Sequence, residues 1–293
     1  MGILKTKTLF ATHADFLNDS TECQLLKKIL APQLAAEFTA AGHLMKRVNL
    51  GHKTPDEMVD VVFRSILITI EKTSPFYITS FCLHPPETRE YGHGLLSQWR
   101  GYANGGFAIE FDEADLDRQT VLENEAFSHA GIKTERVHYH DHAKQVNLAS
   151  FKGMAGATLL TIVGDHPELL AAFGPKRLQD FMIPFFEVVP FLKDDGFAEE
   201  KEYRSVTLCI RPRHRPDIDK RAVREVQFRV SARGNVVPYV TLFSDLPQQL
   251  AIKSIIIGPH HNQENQRKAV SLLLEQTGVD ASIRLSDIPY REH

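Results

Sequence analysis

Cysteine is scarce in this chain. Cys23, Cys82 and Cys209 are odd in number, far apart and in no C-x-x-C pair, which points to reduced thiols in a cytoplasmic protein. Charge of one sign is scarce too. Lys and Arg total 34 against 37 Asp and Glu, a net charge of −3, which removes any bulk electrostatic case for nucleic acid or an anionic membrane. Long apolar runs are missing. No segment approaches the roughly 20 apolar residues of a membrane span, and the opening MGILKTKTLFATH lacks the uninterrupted apolar run of a signal peptide. There is no G-x-S-x-G elbow for a serine hydrolase, and Gly105-Gly106 is too short for a phosphate-binding fingerprint. Repeats and low-complexity tracts are lacking as well. What remains is an ordinary globular composition of 293 residues, 43% hydrophobic, ample for a sizeable core.

The elements present mix both periods. Leu9–Ala11 is a short strand, and a polar turn leads to a helix from about Thr21 to Arg47, bent or broken at Pro32. Thr54-Pro55-Asp56-Glu57 is a capping box with proline at the first helical position. Met58, Val62, Phe63, Ile66, Leu67 and Ile70 then recur at helical spacing up to about Thr73. Phe76–Leu83 reads as a strand, Leu95–Ala103 as a short helix, and Phe107–Phe111 and Lys133–Tyr139 as strands. The stretch from about His142 to Leu192 is mostly helical. Glu202–Ile210 returns to strand. Val226–Val230 and Val236–Phe243 form a hairpin. Ala251–Ile257 is a buried strand, followed by a helix Gln263–Thr277 and a last strand Ser282–Leu285. The expectation is one α+β domain over residues 1–293 with a mixed, mostly antiparallel sheet. Helical segments at about 21–73 and 142–192 would pack around it as insertions.

Several groups of residues could carry chemistry. Asn18, Asp19 and Glu22 either cap a helix or line a pocket. Ser80 lies in an apolar strand and needs a hydrogen-bond partner, which a loop or a ligand could supply. Trp99 and Tyr102 share one face of a short helix and Arg100 points elsewhere, so the pair is either core or an aromatic wall for a planar ligand. Glu200, Glu202 and Arg204 fall on one side if the strand extends through all three. Two such carboxylates repel, and close pairs tend to have raised pKa values. His138, His140 and His142 alternate in a way that could bind metal, though no fourth ligand is evident. His260-His261 reads as loop.

Taken together these segments resemble a widespread bacterial domain-of-unknown-function family. The resemblance rests on Leu17-Asn18-Asp19 with Glu22, on Ser80-Phe81-Cys82, and on the block LSQWRGYANGGFAIEF from Leu96 to Phe111. It extends to EKEYR (Glu200 to Arg204) and IIIGP (Ile255 to Pro259). The order of strands is also similar to the ADP-ribosyltransferase-like fold, with His13, Ser80 and Glu202 in the places of its histidine, serine and catalytic glutamate. Cys82 stands where such enzymes often have serine.

That second resemblance implies an NAD-using enzyme, a transferase or NAD glycohydrolase, of the kind found among bacterial toxins and phage-defence effectors. Glu202 would stabilise the cation formed when the nicotinamide–ribose bond breaks, and Glu200 would orient or deprotonate the acceptor. His13 and Ser80 would position the sugar or nicotinamide, Trp99 or Tyr102 would stack on a ring, and Arg100 would pair with pyrophosphate. Arg204 joins the cofactor-binding set. The acceptor, protein or nucleic acid, and the oligomeric state are not specified by the sequence. Two alternatives stay open: a non-catalytic ligand-sensing module built on Trp99, Arg100 and Tyr102, and a metal-dependent nuclease or phosphodiesterase using the carboxylates and the His138–His142 cluster.

Overall fold

A computed structural model describes residues 2–17, 22–103, 106–214, 219–231 and 234–288. Its elements, in chain order, start with α1 (Gly2–Thr6), β1 (Leu9–His13), α2 (Glu22–Ala40), α3 (Gly42–Arg47), α4 (Pro55–Thr73) and β2 (Phe76–Cys82). The middle of the chain holds α5 (Arg89–His93), α6 (Leu96–Gln98), β3 (Phe107–Glu110), α7 (Glu113–Ala126) and β4 (His129–Arg136). Then come α8 (Met154–Val163), α9 (Pro167–Phe173), α10 (Met182–Val188) and β5 (Glu202–Cys209). The chain closes with β6 (Gln227–Val230), β7 (Val236–Leu242), β8 (Ser254–Ile257), α11 (Gln263–Thr277) and β9 (Ser282–Leu285).

Two sheets result. One runs β4-β5-β2-β1-β7-β6 and is antiparallel throughout. The other runs β3-β8-β9, with β3 antiparallel and β9 parallel to β8. The mixed α/β class and the mostly antiparallel sheet agree with the sequence pattern. Among the described residues, no helix is long and apolar enough to cross a membrane.

The large sheet is packed on both faces. Phe76, Ile78, Val206 and Leu208 point to one side, where they meet Leu26, Leu30, Leu34 and Phe38 of α2 and the apolar stripe of α4. Leu9, Ala11, Tyr77, Tyr203, Val240 and Leu242 point to the other, against Leu116 of α7. Ile3 and Phe111 also touch the third cluster, between the small sheet and α11. Burial on both faces explains why β5 carries no exposed residue.

Local expectations held where the signal was covalent or capped. Thr54 Oγ1 accepts from the Glu57 N–H at 3.2 Å, and the Glu57 carboxylate accepts from the Thr54 N–H at 2.7 Å. At Pro32 there is no break, because α2 runs through it and ends at Ala40. Leu26, Leu30, Leu34 and Phe38 are all fully buried. Four such side chains, at roughly 1.5–3 kcal/mol each, outweigh the ~3 kcal/mol of an interior proline. A correction concerns Leu95–Ala103, where the helix becomes a π-helical turn over Trp99–Ala103.

Candidate functional site

The register of β2 on β5 builds the site. Ser80 lies opposite Arg204 and Cys82 opposite Glu202. Directly opposed residues of an antiparallel pair share a face, so all four project from the same side of the sheet, past the end of its apolar core. Ser80 and Cys82 are exposed, whereas Glu202 and Arg204 are 8% and 3% exposed. The Ser80 hydroxyl makes no hydrogen bond with the described residues.

The buried carboxylate is held by two cations. Glu202 Oε1 accepts from Lys193 Nζ at 2.9 Å, and Oε2 accepts from Arg204 Nε at 2.5 Å. Arg204 Nη1 also donates to the Pro190 carbonyl at 2.6 Å. Lys193 bridges to Glu200 Oε2 at 2.5 Å and lies over the Phe197 ring. Burial pushes the Glu202 carboxyl up, but Arg204 and Lys193 outweigh it and hold the group below the ordinary carboxylate range. Burial pulls Lys193 down, and its bonds to Glu200 and Glu202 more than reverse that. The expectation of a raised carboxylate pKa is therefore corrected. Arg204 and Lys193 offset the repulsion at Glu202, which needs no proton to relieve it.

Lys193 gives no motif signal in the sequence. It arrives because the segment after α10 pairs with His138: the His138 N–H donates to the Phe191 carbonyl and the Lys193 N–H to the His138 carbonyl. A lysine placed directly after the buried Phe191-Leu192 was the available hint. The strand does not extend to Glu200, so the one-face reading of Glu200, Glu202 and Arg204 is corrected and holds for the last two alone. Glu200 ends a 3₁₀ turn, and Lys201, at φ +44°, swings the chain into β5. Glu200 still reaches the site through Lys193, and its Oε1 accepts from Tyr102 Oη at 3.3 Å.

The other residues divide. Tyr102 is 67% exposed on the π-helical turn beside Glu200, and exposed Arg100 of the same turn has no ion pair with the described residues. Trp99 is a correction. Only 4% exposed, it donates from Nε1 to the His93 carbonyl at 2.9 Å. A Cβ added at Gly94 or Gly258 would lie 2.7 or 2.9 Å from its ring, so the indole fills the core and offers no face to a ligand.

His13 stands apart. It lies opposite Tyr77, five residues along β2 from Cys82 and on the other face, roughly 17 Å away at the usual strand rise. Its Nε2 meets Glu71 at 3.0 Å and its Nδ1 accepts from the Asp15 N–H at 3.3 Å. Arg204, expected to touch cofactor, instead anchors Glu202. Asn18 and Asp19, and the side chain of Glu22, lie outside the described residues.

Metal readings do not converge. His138 faces Glu135, whereas His140 and His142 both meet Asp195, at 3.1 and 4.0 Å, and His142 also bonds the Lys193 carbonyl; the three alternating histidines therefore do not gather on one centre. His13, Asp15 and Glu71 do bring ligand atoms within 4.8 Å of one another. There, however, Nδ1 already accepts a backbone proton, which fixes the hydrogen of the neutral ring on Nε2, and Arg211 occupies Glu71 at 3.0 Å.

A mixed α/β fold with an ion-paired carboxylate at a sheet face defines the class. Residues 98–205, just over a third of the 293, match the model of a family described as a protein of unknown function (DUF2971). The resemblance to a domain-of-unknown-function family is thus present over that stretch. It spans Tyr102, Lys193, Glu200, Glu202 and Arg204, and it leaves out Ser80, Cys82 and the Ile255–Pro259 segment. No curated protein and no solved structure matches the chain.

Proposed function

We propose that the chain is an NAD-dependent ADP-ribosyltransferase-like enzyme whose electrostatic group is Glu202. The observation that carries this is the placement of an ionised, buried carboxylate beside an unbonded Ser80 hydroxyl on adjacent strands. A carboxylate held charged is suited to a developing cation and ill suited to proton transfer. In the reaction, the C–N bond between ribose and nicotinamide breaks and its electron pair leaves with the nicotinamide nitrogen. The oxocarbenium-like sugar is stabilised by Glu202. A lone pair on the acceptor then bonds to the same carbon, and the acceptor's proton passes to Glu200 or water. Ser80 would position the ribose, Tyr102 would flank the ring, and Arg100 would meet the pyrophosphate. A role as a toxin or phage-defence effector acting on a protein or nucleic acid follows from the resemblance alone.

Release of nicotinamide from labelled NAD tests the reading. The wild-type chain should release it, and chelator should make no difference. Glu202→Gln should lower turnover by about 100-fold or more, the range for removing one group that stabilises transition-state charge. Ser80→Ala, at an exposed position that should leave the fold intact, should lower kcat/KM by about tenfold. Wild-type protein that releases no nicotinamide with protein or nucleic-acid acceptors, or variants with unchanged turnover, would overturn the proposal.

A further inference from the structure

A cavity of about 370 Å³ lies on the outer flank of β4, between that strand, α10 and the loop 145–151. Its size falls in the range of small-molecule sites. One wall is apolar, and its accessible side chains are Ile183, Pro184 and Val188; Phe151 and Leu192 line it too but are buried. Ile183 stands 45% exposed there, a large apolar side chain in water within a concave surface. The other wall is charged. Lys133 pairs closely with Glu135 but reaches Glu187 only at 3.8 Å. Glu187 makes no hydrogen bond with the described residues, and its side chain is 54% exposed. Two carboxylates thus face one ammonium, with the His138 ring 3.7 Å from Glu135. The side chains of Gln145 and Ser150 at the same rim also make no hydrogen bond with the described residues.

We propose that this cavity binds a small organic cation with an apolar body. Its ammonium or guanidinium group lies against Glu187, its hydrocarbon part against Ile183 and the half-buried Pro184 and Val188, and Gln145 and Ser150 take the remaining polar contacts. The sign follows from two carboxylates sharing one ammonium, with Glu187 holding only its long 3.8 Å contact to Lys133. The body follows from Ile183, because a fully polar cation would leave that side chain in water. This site does not depend on the NAD reading.

Calorimetric titration with phenethylamine, phenethyl alcohol and phenylacetate tests it. These three probes share a ring and chain and differ in charge. The amine should bind at least tenfold more tightly than the alcohol, and phenylacetate should not bind measurably. Glu187→Gln should weaken the amine about tenfold and leave the alcohol unchanged, and Ile183→Asn should weaken both. Both side chains are largely exposed, and the thermal transition of each variant checks that it folds. Equal binding of amine and alcohol, preference for phenylacetate, binding insensitive to Glu187→Gln, or no binding of any probe would each overturn the proposal.

Discussion

Trp99 is locked between two glycines from distant parts of the chain, and that makes a double-mutant cycle informative. A methyl group at Gly258 would sit 2.9 Å from Trp99 Cε3 and 2.9 Å from the Gly106 carbonyl oxygen. The backbone cannot retreat freely, because the Gly258 N–H donates to that same oxygen at 2.8 Å. Gly258→Ala should therefore cost about 1–3 kcal/mol, the range for overpacking a tight core. Trp99→Phe removes part of the ring and the bond to the His93 carbonyl, at about 1–3 kcal/mol. In the double variant the smaller ring relieves one side of the clash. The combined loss should then fall short of the sum by about 1 kcal/mol, outside the ~0.5 kcal/mol scatter of independent sites. Urea unfolding measures all three. The single tryptophan also reports directly: native emission should be blue-shifted and resist acrylamide, and both properties should vanish on unfolding. Additive losses, a neutral Gly258→Ala, or ready quenching in the native state would refute the packing argument and restore a surface role for the ring.

Glu123 should be the most costly carboxylate to remove. It is fully buried and accepts from Arg224 Nε and Nη2 at 2.6 Å each and from the Phe243 N–H at 3.0 Å, with His129 Nε2 at 3.3 Å. Glu123→Gln strands a buried guanidinium, so denaturant unfolding should show a loss of about 3–5 kcal/mol. Replacing Arg224 by Met and Glu123 by Leu together should recover most of it. Burial raises the Glu123 carboxyl, but His129 and Arg224 outweigh it and hold it below its ordinary 4.5. A depressed folded pKa contributes stability that is complete above the unfolded value and is lost as pH falls through the folded one. The gap between wild type and Glu123→Gln should hold near neutrality and shrink below about pH 4.5; a gap that widens in acid would be inconsistent. Cys82 is exposed, yet desolvation at the sheet face and the charges of Glu202 and Glu200 push its thiol up to about 12. At pH 8 only roughly 10⁻⁴ of it is thiolate, so alkylation should be slow, and Glu200→Gln should accelerate it; reaction at the rate of a free thiol would contradict this.

The parts legible in sequence were those with a local cause. The Thr54 capping box, the stripe of α4 and the runs that became β2, β5 and β8 each carry their own signal. Helix α7 carried none. In Glu113–Ala126 the inward residues are Leu116, Gln119, Thr120 and Glu123, so its buried face reads as polar, and the guanidinium that pairs with it, Arg224, comes about a hundred positions later. Trp99 could not be assigned from its own neighbours either, because Gly258, which closes on its ring, comes from the far end of the chain. His13 and Ser80 looked equivalent as strand residues of a site. Register separates them: His13 lies opposite Tyr77, three positions along β2 from Ser80, and an odd shift puts the two on opposite faces. Glu200 and Glu202 were expected to repel, and the missing quantity was Lys193, whose place is set by a strand-like pairing with His138 and not by any motif.

That pairing decides what chemistry the site can support. Had Glu202 met only Glu200, the two carboxylates would repel and favour taking up a proton. With Lys193 between them and Arg204 behind, the four charges cancel and Glu202 stays ionised. The main-chain bonds between His138 and the 191–193 segment, with the His142 ring on the Lys193 carbonyl at 2.8 Å, fix the lysine independently of any ligand. Such preorganisation costs nothing at the moment of reaction and favours electrostatic stabilisation over proton relay. The stretch that matches the family model contains every charged member of this arrangement, whereas the neutral Ser80 and Cys82 come from β2, outside it. The charge pattern and the hydroxyl it would act beside are therefore separable, so Ser80→Ala and Glu202→Gln probe different parts of one site, one its binding geometry and the other its field.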